Sequence, residues 1–390
     1  MKIVHLCLGC FYIDNYSYQE NMLPKFHKEM GYEVEVIAST LSFDKNGNGC
    51  NIAANKYINE YGIKVTRLPY KKRLPVKLCK FLRIYEGTYN ALEEANPDII
   101  FIHGCQFCDI YTVVSYLKKH KAQVFVDNHA DFSNSATNWI SKNILHKGLW
   151  RTCAHAIEPY TTKFYGVLPV RVDFLEQIYR LPEEKCELLV MGADDELVNK
   201  AKKNGAREKI RKKYSIQDDE FLIITGGKID KWKTQTLLLM EAINKIQIDN
   251  IKLIIFGSIT QELKPQVENL IDNSNGKIKY IGWIQSKDSY EVFEAADLVI
   301  FPGRHSVMWE QVVGQGIPMI VKDWPGTHHV DLGGNVRFLK DDSVQELTNE
   351  IEHVYNEKDL YNNMKAIAQS KGMETFSYKM ISKRAIGGSV

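Results

Sequence analysis

Nowhere in the 390 residues does an apolar run approach the roughly 20 residues that a membrane-spanning helix needs. The opening MKIVHLCLGC passes directly into a strand-like run, with no apolar stretch and cleavage site of the secretory kind. A cytoplasmic location is therefore expected, with the eight cysteines reduced. Neither sign of charge prevails. Fifty Lys and Arg against 48 Asp and Glu leave a net charge of +2, so any anion-binding surface has to be local. The basic stretch 69–83 is short and has no base-reading motif, which argues against nucleic acid as a partner. Alternating acidic pairs of the Asp-X-Asp type are absent; the Asp pairs at 194–195, 218–219 and 341–342 are adjacent. This predicts chemistry without a metal ion, and no other cofactor is expected. The first strand is followed by DNYSYQE (14–20) rather than a glycine-rich loop, and no Pro/Gly/Ser linker divides the chain.

What is present is a regular alternation of short apolar runs with helical patterns, the mark of βαβ units and a parallel sheet. In the first half the runs are 2–8, 33–38, 63–68, 98–103 and 123–129, with a helix over 20–30 and a flexible loop over 45–51. In the second half they are 221–225, 252–256, 279–282, 298–301 and 318–321, with helices over 234–246, 260–272, 286–296 and 343–369. A length of 390 residues suits two domains. The fold class expected is α/β, with two Rossmann-like domains. The boundaries are 1–195 for the first domain, 196–216 for a polar helical connector, 217–370 for the second domain and 371–390 for a terminal segment.

The stretch 296–331 reads strand, loop, helix, strand. Pro302 and Gly303 end an apolar run, Arg304, His305 and Ser306 form a polar loop, and a helix of roughly ten residues containing Glu310 follows. In open α/β sheets ligands sit at the carboxyl ends of strands, and helix N-termini suit phosphates. Ser306 is placed to cap that helix, and Glu310 either meets a ligand or simply interacts with the helix dipole. Gly226 and Gly227 end another strand and are followed by Lys228 and Lys233, an arrangement suited to an anion or to a solvated surface loop. Two first-half strands end in His103 and His129, each a ligand contact or a satisfied structural histidine.

Two pairs, Cys7–Cys10 and Cys105–Cys108, have C-x-x-C spacing after strands expected to be neighbours. Buried small hydrophobes are the favoured reading, and zinc the minor one. Residues 69–83, PYKKRLPVKLCKFLR, interleave six basic with apolar residues, which suits an anionic membrane surface or a solvated helix face.

Several motifs together resemble the family-4-type retaining glycosyltransferases (glycosyl transferases group 1) of the GT-B class. ITGGKIDKWKT (224–234) is similar to the family's strand–Gly–Arg…Lys element, with Lys228 in the place of Arg and Lys233 at the second basic position. VMGAD (190–194) resembles the turn before the second domain. IGWI (281–284) and AADLVIFP (295–302) are similar to the base-binding loop and the strand before the donor site. NPDIIFIH (96–103) and VDNHAD (126–131) resemble the first domain's two His-ended strands, and TFSY (375–378) the segment that crosses back. The family usually has two Glu eight residues apart. Here the second falls on Gln311, beside Glu310, and the first has no counterpart.

The resemblance implies two domains facing each other across a cleft. It also implies transfer of a sugar from a nucleotide-sugar donor, with retention, to a saccharide or polyprenyl-linked acceptor in capsular, exopolysaccharide or O-antigen assembly. Peripheral contact with the inner face of a membrane through 69–83 would suit such an acceptor. On this reading Gly227, Lys228, Lys233, Trp283, Ile284, Arg304, His305, Ser306 and Glu310 hold the donor. His129 faces the reacting sugar as the catalytic residue, and Asn15, Tyr16, His103 and Asp131 lie on the acceptor side. A same-fold epimerase or phosphorylase, or a non-catalytic nucleotide-sugar-binding protein, is the alternative.

Overall fold

The computed structural model describes residues 1–43, 49–72 and 75–388. The loop expected over 45–51 therefore lies mostly outside the described residues, as do two positions of the basic stretch 69–83. The chain forms two units, one of Met1–Val190 with Tyr378 onward, the other of Met191–Ser377.

The first unit is built on one sheet. Its strands are β1 (Lys2–Cys7), β2 (Glu33–Ser39), β5 (Lys56–Ile58), β6 (Lys64–Leu68), β7 (Ile99–His103), β8 (Gln123–Asn128), β9 (Thr161–Gly166) and β10 (Cys186–Leu188), with β3 (Leu41–Phe43) and β4 (Gly49–Asn51) pairing as a separate hairpin. Their order in the sheet is β10-β9-β8-β7-β1-β2-β6-β5, parallel except for β5 at the edge. The central strands are buried on both faces, which is why KIVHLC, IIFIH and QVFVDN read as near-continuous apolar runs. Ile100, Ile102, Val124, Val126 and Phe164 pack on one face against the helical residues Ile110, Val113, Cys153 and Phe174. Where β1 and β7 end, the chains touch: a Cβ at Gly9 would collide with the Gly104 carbonyl, and Gly104 has φ +78°. Glycine at both positions lets the two loops leave the sheet side by side. The helix expected over 20–30 spans Gln19–Glu29 and carries Pro24 in its interior.

The second unit has six parallel strands: β11 (Phe221–Gly226), β12 (Ile251–Phe256), β13 (Ile278–Tyr280), β14 (Leu298–Phe301), β15 (Met319–Lys322) and β16 (Val336–Leu339). Their order β13-β12-β11-β14-β15-β16 is that of a dinucleotide-binding sheet, with the reversal between β11 and β14. Strand β16 was not foreseen, because VRFL is only four residues long, is interrupted by Arg337 and lies at an edge. The expected connector 196–216 is helical as read, but it is part of the second unit rather than a link between units. Residues 195–203 and 206–213 are helices, and Val198, Ala201 and Ala206 pack with Ala193 and Tyr290 inside the second unit. The division falls earlier, after Val190, and the helix Lys358–Phe376 belongs wholly to the second unit.

Candidate functional site

The reversal point of the second sheet gathers two loops. From β11 come Gly227 and Lys228; from β14 come Pro302 to Val307. Gly227 has φ +136°, and its amide donates to the Phe256 carbonyl at 3.0 Å. A Cβ on Gly257, after β12, would collide with the Gly227 carbonyl, so glycine there lets the two strand ends lie against each other. Lys228 is more than half exposed and 3.4 Å from Asp230, while Lys233 is exposed. Both ammonium groups are thus open to an anion. Arg304 is also exposed, Trp283 is 70% exposed, and Ile284 is half-buried.

Around the helix that follows β14 the structure departs from expectation. The helix spans only Met308–Gly314, is preceded by Val307, and has no side-chain cap. Ser306 instead offers its carbonyl to the Trp309 amide at 3.0 Å. Glu310 is fully buried. Its Oε1 accepts from His305 Nε2 and from His329 Nε2, both at 2.8 Å. Burial opposes its charge, but the two imidazoles outweigh this and hold the carboxyl well below the usual carboxylate range. The expected direct contact of Glu310 with the donor does not fit this burial. Its carboxylate is an internal anchor, tying the 303–307 loop to the turn His328–Val330 beyond β15.

Gln311, in the position of the family's second Glu, is buried too, with its amide donating to Ser289 Oγ at 2.9 Å and to Gln315 Oε1 at 3.2 Å. His329 was missed by sequence reasoning. The only signal was its place after a strand, in THHVD. Glu310 Oε2 and His329 Nδ1 are buried with no hydrogen-bond partner. Among the described residues, His305, Glu310 and His329 are the one group whose donor atoms, within 4.8 Å of one another, have the spacing to hold a metal ion. Within this group His305 Nε2 and His329 Nε2 are already engaged with Glu310 Oε1. Cys7, Cys10, Cys105 and Cys108 form no such group.

In the first unit, β1, β7 and β8 bring together residues the sequence had treated separately. His103 is fully buried, and both its ring nitrogens are engaged: Nδ1 with Asp127 Oδ2 at 2.9 Å, Nε2 with His5 Nδ1 at 3.0 Å. It therefore cannot meet an acceptor directly. Asp131 is likewise occupied. Its carboxylate takes Arg171 Nε at 3.0 Å and the Ser133 and Asn134 amides at 2.8 and 2.9 Å, which makes it a turn-forming residue rather than an open ligand contact. His129 is different, because about a third of its side chain is exposed. Its Nε2 lies 3.4 Å from Asp127 Oδ2 and 3.9 Å from Glu20 Oε1. Burial lowers its pKa, but Asp127 and Glu20 prevail and raise it. Asn15 and Tyr16 are exposed on the loop after β1, where Asn15 adopts φ +64° and its amide donates to Glu60 at 2.7 Å.

Residues 206–371 match the family model "Glycosyl transferases group 1". No curated protein matches the chain. Among solved structures, a glycosyltransferase from Rickettsia africae is similar over 100% of this chain and 99% of its own, at 16% identity and a TM-score of 0.67. Anabaena HepE, solved in complex with UDP, is similar over 98% of both chains, at 15% identity and TM-score 0.67. UDP-GlcNAc 2-epimerase from Neisseria meningitidis, bound to UDP-GlcNAc, is similar over 99% of both chains at 12% identity and TM-score 0.64. At these identities the likeness establishes the fold. The chain is thus a two-unit α/β protein of GT-B-like fold, and the stretch similar to the glycosyl transferases group 1 model lies within its second unit.

Proposed function

We propose that this protein is a retaining glycosyltransferase that moves a sugar from a nucleotide-sugar donor to a saccharide or lipid-linked saccharide, in the assembly of a surface polysaccharide. The observation that carries the reading is the group 1 domain coinciding with the β11/β14 reversal point and its exposed Lys228 and Lys233. A nucleotide sugar leaves behind a diphosphate, and charge grows on it as the glycosidic bond breaks. Cations and backbone N–H groups aimed there lower the barrier. Lys228, Lys233 and the Gly227 backbone fill that role, with Trp283, Ile284, Arg304 and His305 placed for the rest of the donor. His129, held by Asp127, meets a hydroxyl or the developing charge of the reacting sugar, and Asn15 and Tyr16 serve the acceptor. The acceptor oxygen attacks as the leaving phosphate takes its proton, so no protein nucleophile is assigned and no metal is required.

Contact with an anionic membrane is part of this reading. Val76, Leu78 and Phe81 are 58%, 42% and 51% exposed on the helix Val76–Leu82, which also carries Lys77 and Lys80. No helix among the described residues is long and apolar enough to cross a membrane. Binding to anionic vesicles that weakens with salt is expected, and indifference to vesicles removes this element.

The test of the function is a panel of nucleotide sugars, read first as thermal stabilisation and then as donor turnover with and without saccharide acceptors. Acceptor-dependent release of nucleoside diphosphate supports transfer. Interconversion of the nucleotide sugar without an acceptor supports the epimerase reading, for which the Neisseria enzyme's fold is the specific argument. Stabilisation with no turnover leaves a binding protein.

A further inference from the structure

Behind Asp127 runs a line of buried histidines that the reaction outlined above does not use. His103 Nε2 meets His5 Nδ1 at 3.0 Å, His5 Nε2 meets His27 Nδ1 at 2.9 Å, and His27 Nε2 meets the Ser382 carbonyl at 2.7 Å. All three rings have no exposed surface. They come from β7, β1 and the helix Gln19–Glu29, and the line ends on the helix Tyr378–Ala385.

The carbonyl decides the direction of every bond. A carbonyl only accepts, so His27 carries hydrogen on Nε2. When His27 is neutral its Nδ1 is then an acceptor, which commits His5 to hydrogen on Nε2. By the same step His5 Nδ1 accepts, and His103 donates from Nε2. A neutral His103 has no second hydrogen for Asp127. The 2.9 Å contact between His103 Nδ1 and Asp127 Oδ2 therefore needs one further proton, which sits between them. The surroundings agree on where. Burial opposes charge on His103, but Asp127, Cys7 and Glu20 prevail and hold it up at about 9. Burial holds His27 down at about 4, and burial with His27 and His103 keeps His5 well below its ordinary value. Asp127 Oδ2, the atom that meets His103, is also the atom nearest His129 Nε2, which in turn faces Glu20 and Arg171.

We propose that His103, with His5 and His27 behind it, is a positioning residue for His129: a one-way hydrogen-bond relay anchored on the Ser382 carbonyl keeps a proton between His103 and Asp127, so that Asp127 stays fixed as the carboxylate that orients His129. Its bearing on catalysis rests on the role given to His129 under the proposed function. The protonation pattern does not, and the test separates the two.

Nitrogen-15 NMR of the histidine rings in the full chain at pH 7.5 is the direct measurement. His5 and His27 are expected as neutral rings with hydrogen on Nε2 and His103 as an imidazolium. A neutral His103, or hydrogen on Nδ1 of His5 or His27, overturns the relay whatever the protein's activity. The wild-type spectrum needs no variant that might misfold. His27→Phe then removes the anchor. His5 is freed to reverse, and His103 becomes a neutral ring with hydrogen on Nδ1. For catalysis, the limb of the kcat/KM pH profile set by His129 should move upward in His27→Phe, with donor KM within about twofold. A lower kcat with an unmoved profile overturns the positioning role while leaving the glycosyltransferase reading intact.

Discussion

Replacing Glu310 by glutamine is expected to destabilise the second unit by about 3 kcal/mol and to lower turnover about a hundredfold. In the native protein one buried oxygen accepts from His305 and His329, and the opposite oxygen has no partner. An amide with its oxygen toward the histidines places an NH2 group where nothing accepts it. The other orientation sets the NH2 against two ring N–H groups. Either way a buried polar group is left unsatisfied and two charge-assisted hydrogen bonds become neutral ones. The turnover loss follows from position. Glu310 ties the loop carrying Arg304 and His305 to the turn carrying His329, and displacement of about 1 Å at a donor site is costly. Urea unfolding and steady-state kinetics of the variant check both effects. An unchanged unfolding midpoint together with unchanged kinetics means the anchor has been misread.

Asp127→Asn is expected to act on the first unit with a similar loss of about 3 kcal/mol, since it breaks a fully buried ion pair. Its distinctive effect is on pH dependence. His103 is raised from 6.5 to about 9, so its contribution is complete below 6.5 and is lost as pH rises toward 9. His27 is depressed from 6.5 to about 4, and His5 is depressed as well, so folding loses stability as pH falls from 6.5 and these rings are forced to charge. Asp127 itself is depressed and adds a further loss on the acid side, below its ordinary 3.8. Stability of the wild-type first unit should therefore peak near pH 6.5 and fall on both sides. In Asp127→Asn the alkaline fall should shrink, because His103 loses the first of the charges that keep it protonated, while the acid fall from His5 and His27 remains. Denaturant midpoints from pH 4.5 to 9.5 measure this. An alkaline limb that survives undiminished in the variant would place its origin elsewhere.

Much of the fold could be read from the sequence, and for a plain reason. Strands buried on both faces, such as β1, β7 and β14, appear as apolar runs at regular intervals, and the glycines that end them mark the turns. Edge and short strands were missed because their burial is one-sided: β5 and β16 are patterns of mixed polarity. The boundary was misplaced because the polar helices at 195–213 look like a linker while burying only a few small residues, among them Ala201 and Ala206. The site was less legible still. Sequence position gave Glu310, His305, His103 and His129 as chemistry-bearing residues, but not which of them face solvent and which serve one another. His103 and Glu310 turned out to be internal; their partners His5 and His329 lie 98 and 19 positions away, and His27 lies a further 22 positions from His5, distances that no local pattern spans.

The loop after β11, in the second unit, is expected to bind the diphosphate of a nucleotide sugar. Isothermal calorimetry of the full chain with nucleoside diphosphates and nucleotide sugars, repeated on a Lys228→Ala, Lys233→Ala double variant, tests it most directly. Binding by the wild-type protein that weakens about tenfold or more in the double variant, with the unfolding midpoint unchanged, is the predicted result. Equal affinity in both proteins, or no affinity for any member of the panel, would contradict the account.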